Sequence, residues 1–288
     1  MTTEWISVEF DGGRLYARVH DGEDPVIADL QAEIAEGEAA ETALERMLAP
    51  HLENARGVPV ICAGLGDPAA AVPVPAAPPL QTESRVAAGG RMDLRLLPGL
   101  RQSEPPDLTS GAEIRVAGLL AEQPGFDGVL CLPGPRTLWI HVSAGEIVSF
   151  RATLTGELAG LLETRSSLSP ALAGTEWNAA LFTATLRDVM SRPQGVAQGL
   201  AGLAAAHALG STKPGEARAR LYGMLVGIDM SAARPYWLGQ RVAVLGDDRL
   251  ADAYHAALDG EGAFPERLDG QAMAEAGFRA ARAAMGTH

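Results

Sequence analysis

Few side chains in this sequence have the types and spacing that enzymatic chemistry needs. Lys213 is the only lysine, so no phosphate-binding P-loop is complete. The six histidines show no metal-ligand spacing, and no G-x-S-x-G or G-x-G-x-x-G motif follows a predicted strand. What remains is a pair of tight turns, Asp11-Gly12-Gly13 and Pro133-Gly134-Pro135-Arg136. From spacing alone, the first of these is only a hairpin turn.

The first turn lies between two predicted strands, at residues 5–10 and 15–19, and a third short strand is expected near residues 25–29. An apolar pattern with helical spacing follows over residues 38–52. The apolar run at residues 58–63, which glycines bound on both sides, predicts a buried parallel strand.

The second turn lies in a copy of the same pattern. Strands are predicted at residues 129–132, 137–142 and 146–150, and the rest is mostly helical apart from a strand at 241–246. Two copies of the same strand and turn order suggest duplicated lobes, an N-terminal one over 1–125 and a C-terminal one over 126–288. The sequence therefore predicts an α/β protein with a cleft between two lobes.

Composition and sequence pattern argue against nucleic acid and membranes as partners. The net charge is −13, from 23 basic and 36 acidic residues, and no basic run is present, which disfavours nucleic acid. No apolar stretch reaches the length of a membrane span, and the first residues lack the pattern of a signal peptide, so a cytoplasmic location is expected. Cys62 and Cys131 lie in apolar runs and are expected to be buried thiols.

Short motifs along nearly the whole chain resemble the 2-keto-3-deoxygalactonokinase family. The strongest is Phe150-Arg151-Ala152-Thr153-Leu154-Thr155-Gly156-Glu157-Leu158. The resemblance implies an actin-like fold and ATP-dependent phosphorylation of the terminal hydroxyl of 2-keto-3-deoxy-galactonate, with Mg²⁺ as a cofactor and a small sugar acid as partner. The resemblance is also compatible with a homodimer. The other matching segments, in order, are the opening hairpin, residues 59–64, 97–100, 132–134 with Trp139, 207–210, 223–227 and 276–278.

The resemblance also assigns roles to residues of this chain. Glu9 is expected to hold magnesium weakly, through a water molecule, and Glu113 is the candidate catalytic base, although Ala112 occupies the position where the family carries that base. Thr155-Gly156-Glu157 has a structural alternative, because a threonine there could simply cap the start of a helix. The nucleotide would be bound by Glu9, Gly12, Gly13, Arg14, Gly134, Arg136 and Gly246, and the sugar acid by Gly64, Thr155 and Glu157.

Four departures from the family pattern fall on the chemistry. Asp11 stands where the family's first turn has a glycine, and a carboxylate there would repel phosphates, an effect that Arg14 would partly offset. Ala112 cannot accept a proton. The second turn loses a threonine, a lysine and, at Pro135, a backbone N–H. Asp247-Asp248 would add two carboxylates near a triphosphate.

Three interpretations therefore stay open. The chain is a working sugar-acid kinase with unusual residues, a catalytically silent relative that binds a sugar acid or a nucleotide, or an interaction scaffold on a kinase fold. In the last case no cofactor is needed. The fold does not decide between them, because function depends on the site.

Overall fold

The structure is a computed structural model that describes residues 3–22, 26–53, 55–213 and 215–285. Within those residues the strands are β1 (Trp5–Asp11), β2 (Arg14–His20), β3 (Val26–Glu33), β4 (Val58–Ala63), β5 (Val72–Pro73), β6 (Arg85–Ala87), β7 (Met92–Leu96), β8 (Leu100–Ser103), β9 (Pro106–Leu108), β10 (Gly128–Leu132), β11 (Thr137–Ser143), β12 (Glu146–Thr153), β13 (Val242–Leu245) and β14 (Glu266–Leu268). The helices are α1 (Ala40–Leu48), α2 (Ala112–Glu122), α3 (Thr155–Arg165), α4 (Ala179–Ser191), α5 (Val196–Ala208), α6 (Glu216–Ala232), α7 (Arg234–Trp237), α8 (Arg249–Gly260) and α9 (Gly270–Met285).

The chain forms two compact units. The first contains Met1–Phe126, Ser143–Ser149 and Gly270–His288, and the second contains Asp127–Val142 and Phe150–Asp269. The predicted strands at Ile6 and Val129 belong to separate sheets, as expected for a duplicated pattern. The lobe boundaries at 1–125 and 126–288 stay a prediction about where the chain divides into domains.

The first unit contains a six-stranded sheet in the order β3-β2-β1-β4-β7-β6. β1 and β2 form an antiparallel hairpin because two glycines with φ of 56° and 90° make a two-residue loop, with Asp11 paired to Arg14 across it. β3 reaches Glu33, further than expected, and Pro25 lies outside the described residues. β4 and β7 run parallel to β1, so the carboxyl ends of these strands lie at one edge of the sheet.

Helices α2 and α9 pack against each other within the first unit. A β-carbon on Gly118 would lie 1.8 Å from the Met273 carbonyl oxygen, and one on Gly277 would lie 1.9 Å from the Ile114 carbonyl oxygen. Each helix therefore presents a glycine to the other's backbone, and the helix axes approach more closely than side chains would permit. This contact fixes α2, whose first turn lies beside the carboxyl end of β4.

The second unit contains most of a five-stranded sheet in the order β12-β11-β10-β13-β14, with β10, β13 and β14 parallel, while residues 143–149, which include the start of β12, are grouped with the first unit. Its core includes Val129, Trp139, Val226 and Tyr254, all nearly inaccessible to solvent. α4 and α6 pack tightly, because β-carbons on the α6 glycines would come within about 3 Å of α4 atoms. In the described part of the chain no helix is long and apolar enough to span a membrane.

Candidate active site

The first turn is open and its backbone conformation requires glycine. No atom lies within 4 Å of the position that a β-carbon would take on Gly12 or Gly13. The Asp11 side chain is exposed at the base of this turn. Arg14 does not neutralise it, because the Arg14 Nη2 atom lies 2.7 Å from Oε1 of Glu33 on β3. The turn therefore has open space around both glycines beside an exposed carboxylate.

Glu9, the candidate magnesium residue, carries a positively charged partner. Its Oε2 atom lies 2.6 Å from Nη2 of Arg115, which belongs to α2. Both side chains are partly buried, at 24% and 32% exposure, so water screens the pair less than it would at the surface. Among the described residues no group of three His, Cys, Asp or Glu could hold a metal ion.

Gly64 lies where three backbone segments meet. A β-carbon on it would come within 2.6 Å of the Phe10 carbonyl oxygen, and one on Gly111 would lie 3.3 Å from the Gly64 Cα atom. The Ser110 hydroxyl donates a hydrogen bond of 2.9 Å to the Gly64 carbonyl. The carboxyl ends of β1 and β4 and the start of α2 are therefore held together. Gly64 is needed for this packing, and its contact with a sugar acid stays a prediction.

Glu113, the candidate base, is buried in a hydrogen-bond network. It is only 5% exposed. Its carboxylate accepts hydrogen bonds from the Thr109 hydroxyl and from the Leu100 backbone N–H, the latter at 3.1 Å. Burial raises the pKa of Glu113 above the usual range of glutamate. Ala112 precedes it as the first residue of α2, so the structure shows no exposed carboxylate at either position.

The second turn packs on the beginning of α3. A β-carbon on Gly156 would lie 2.1 Å from the Gly134 carbonyl oxygen, and the Glu157 backbone N–H donates to the Pro135 carbonyl at 2.9 Å. Arg136 and the Glu157 side chain are both exposed. Sequence reasoning placed these two segments in separate roles, and the structure joins them through the contacts of Gly134 with Gly156 and of Pro135 with Glu157.

Asp229 is a buried carboxylate near these segments that sequence reasoning did not single out. It lies on α6, is 2% exposed, and accepts hydrogen bonds at 3.1 Å from Trp139 Nε1, 2.8 Å from Thr153 Oγ1 and 3.1 Å from Thr155 Oγ1. The Tyr254 hydroxyl donates to the same carboxylate. Burial raises the pKa of Asp229, although these donors favour its ionised form. The one available signal was an aspartate in the apolar segment 223–230.

Thr155 does not cap α3, which is the structural role that the sequence suggested for it. α3 begins at this residue, but its N-cap is Leu154, whose side chain makes no capping bond. The Thr155 hydroxyl is buried and faces Asp229 and Thr153, with 3.0 Å between the two threonine oxygens. The capping interpretation is therefore wrong, and a contact between Thr155 and substrate stays a prediction.

The Asp247-Asp248 pair has a structural explanation in part. Asp248 is the N-cap of α8, and its Oδ1 atom accepts a hydrogen bond of 2.8 Å from the Ala251 backbone N–H. Gly246, with φ of 129°, ends β13, and its carbonyl accepts a 2.6 Å hydrogen bond from Arg267 Nε. One of the two carboxylates therefore stabilises a helix, and Asp247 stays exposed beside it.

Comparison with known proteins places this geometry in a family. A family model described as 2-keto-3-deoxy-galactonokinase matches residues 14–281. A probable 2-dehydro-3-deoxygalactonokinase of Rhizobium meliloti is 28% identical over 199 residues, and a 2-dehydro-3-deoxygalactonokinase of Escherichia coli is 27% identical over 187 residues. These matches cover 67% and 64% of this chain, but only 65% and 63% of the two relatives.

Solved structures share the fold. A protein from Sinorhizobium meliloti, assigned as a 2-dehydro-3-deoxygalactonokinase, has a TM-score of 0.86 at 24% identity, covering 99% of this chain and 97% of its own. An activator of 2-hydroxyisocaproyl-CoA dehydratase from Clostridium difficile, with bound ADPNP, has a TM-score of 0.51 at 10% identity, covering 98% and 96%. The predicted actin-like α/β fold is confirmed.

Proposed function

We propose that this chain, which belongs to the 2-keto-3-deoxy-galactonokinase family, transfers the γ-phosphoryl group of ATP to the terminal hydroxyl of 2-keto-3-deoxy-galactonate. The observation that carries the proposal is the family match, which extends over residues 14–281. The sugar acid is the expected partner, and a homodimer and a cytoplasmic location stay predictions. The rate is expected to be low, for reasons that lie in the first unit.

The first turn supports nucleotide binding by its backbone. Gly12 and Gly13 have positive φ and leave open space where side chains would project. Backbone N–H groups in such a turn can bind phosphate oxygens without a lysine. ATP would supply the phosphoryl group, and the turn's contribution would be to bind and orient its phosphates.

The charges around this turn fit ATP and magnesium less well. The exposed Asp11 carboxylate would repel phosphates by roughly 1 kcal/mol at about 4 Å in water. Glu9, the carboxylate expected to hold a magnesium-bound water, is already paired with Arg115. The residues around Glu9 therefore do not fit a magnesium ion well, and we expect ATP to bind with millimolar-range affinity.

The residues at the expected position of the catalytic base predict a further loss of phosphoryl-transfer rate. Ala112 has no proton acceptor, and Glu113 next to it is buried and engaged by Thr109 and Leu100. A general base typically contributes about 10²- to 10⁴-fold, whereas positioning and electrostatics carry most of phosphoryl transfer. Activity without an exposed base is therefore expected to be faint rather than absent.

A coupled ADP-release assay with ATP and 2-keto-3-deoxy-galactonate tests the proposal, and Asp11→Asn sharpens it. Removing that charge should tighten ATP binding about fivefold, which corresponds to the repulsion of roughly 1 kcal/mol. Glu83→Gln removes an exposed charge of the same sign outside the turn and should change nothing. Sugar-acid-dependent turnover above background supports the proposal. The absence of turnover, even for Asp11→Asn at saturating ATP, would reject the proposed activity. Turnover near 1 to 100 per second, roughly the usual kinase range, would instead reject the expectation that the site is impaired.

A further inference from the structure

Asp229 connects four separate elements of the second unit. Its donors are Trp139 on β11, Thr153 at the end of β12, Thr155 at the start of α3 and Tyr254 on α8. Taking a carboxylate out of water costs free energy, which is offset only when its donors are all in place. A buried carboxylate with donors from four elements therefore fixes their relative positions.

The connection continues from Thr155 to the second turn. The two residues after Thr155 make the contacts with that turn, since Gly156 packs on the Gly134 carbonyl and the Glu157 N–H donates to the Pro135 carbonyl at 2.9 Å. Trp139 lies on the strand that leaves the same turn and binds Asp229 from the other side. Asp229 therefore holds both supports of the second turn, one through β11 and one through α3.

The geometry points to Asp229 as a positioning residue that holds the turn at residues 133–136 in place through Thr155 and Trp139. The inference rests on the proposed function and deepens it, because Gly134 and Arg136 of this turn are residues that the family resemblance expects to bind the nucleotide. Phosphoryl transfer depends mainly on positioning, and small displacements of a binding group change the rate strongly. Asp229 itself, buried at 2% exposure, needs no contact with the ligand.

Two variants that each remove one hydroxyl donor from Asp229 separate positioning from general stability. Thr155→Val cuts the link to α3, whereas Tyr254→Phe leaves both threonine links to Asp229 intact. Thr155→Ser keeps the hydroxyl and should behave like the unmodified protein. Asp229→Asn keeps the shape, removes the charge, and serves as a second variant if Thr155→Val does not fold.

Hydrogen exchange of backbone amides, measured on the full chain, is the readout that does not need activity. Thr155→Val and Asp229→Asn should raise exchange about tenfold or more in both segments 132–137 and 154–160, as expected for loss of a hydrogen bond to a charged group. Tyr254→Phe should lower stability without that local increase. Equal exchange in Thr155→Val and Tyr254→Phe, or no increase at residues 132–137, would overturn the inference.

Kinetics provide the second readout. In an active protein, Thr155→Val should raise the KM for ATP severalfold, while Tyr254→Phe leaves it within twofold and Thr155→Ser restores it. A KM unchanged in Thr155→Val would also count against the inference. If the unmodified protein has no turnover, the proposed function fails, and the exchange measurement still decides whether Asp229 positions the turn.

Discussion

The guanidinium of Arg115 lies 2.6 Å from the carboxylate of Glu9, so the first strand of the six-stranded sheet is tied to the helix that carries Ala112 and Glu113. In this arrangement Glu9, the residue expected to hold magnesium through water, already has a positive neighbour. A magnesium ion near Glu9 would be repelled by Arg115.

Arg115→Gln should therefore lower the magnesium concentration that is needed to support ATP binding. Calorimetric titration of ATP binding over a magnesium series should give a half-saturating magnesium concentration that is severalfold lower, because Glu9 loses its competing cation. Stability should fall by about 1 kcal/mol or less, since the pair is partly exposed. Arg85→Gln, which breaks the exposed pair with Glu41, is the control and should leave the magnesium series unchanged. An unchanged series in Arg115→Gln would mean that Glu9 has no part in magnesium binding.

Introducing a β-branched hydroxyl side chain into the first turn should lower the stability of the protein. Gly13 has φ of 90°, a conformation that β-branched residues rarely adopt. Gly13→Thr should lower the free energy of unfolding by about 1 to 3 kcal/mol in urea denaturation. Gly13→Asn is the matched control, because asparagine tolerates positive φ better, and its loss should be smaller. Equal losses would show that the turn rearranges freely.

Much of this turn was predictable, because its signals are local. Two consecutive glycines between alternating apolar residues predict a two-residue hairpin, and the structure confirms it. Asp248 was also within reach, since an aspartate directly before a helical pattern is a good N-cap. Because Asp248 was considered only as a negative charge near the phosphates, its role as an N-cap was not predicted.

Asp229 was not predictable from local pattern, because its partners are remote. They lie 90, 76, 74 and 25 residues away along the chain, so no window of sequence contains them all. Likewise, nothing local distinguishes Glu113 from an exposed helical glutamate, although Thr109 is only four residues away. Burial of a carboxylate depends on tertiary packing, which propensity and periodicity do not report.

The crossing of α2 and α9 predicts a large effect from a single methyl group. Gly118→Ala would place a β-carbon 1.8 Å from the Met273 carbonyl oxygen, so the two helices must separate. We expect a loss of about 1 to 3 kcal/mol or more in chemical denaturation. Gly202→Ala in α5, with open space around it, should instead be neutral or stabilise by up to about 1 kcal/mol. Similar results for the two variants would contradict this packing.

His20 predicts an acid-sensitive contribution to stability. Its ring stacks on Trp5 at 3.8 Å and its Nε2 atom lies 3.0 Å from the Ser7 hydroxyl. Burial, helped by Arg18, lowers the pKa of His20 from 6.5 to about 4. The unfolded chain therefore takes up a proton first as pH falls. The stabilisation is fully present above pH 6.5 and is lost as pH falls to about 4, by roughly 3 kcal/mol.

The measurement is urea denaturation at several pH values between 7 and 4. His20→Gln should lose this part of the pH dependence, whereas His51→Gln, a change outside the stack, should retain it. A slope that is the same in His20→Gln and the unmodified protein would show that His20 is not its source.

The membership of α9 in the first unit has a consequence for synthesis on the ribosome. Residues 127–142 and 150–269 are translated before α9, yet α2 reaches its closest packing only against α9. During translation the apolar face of α2 is therefore not covered by α9 while the whole second unit emerges and folds. The first unit cannot complete its packing until α9 has been translated, so the nascent chain should depend on chaperones to protect its first half.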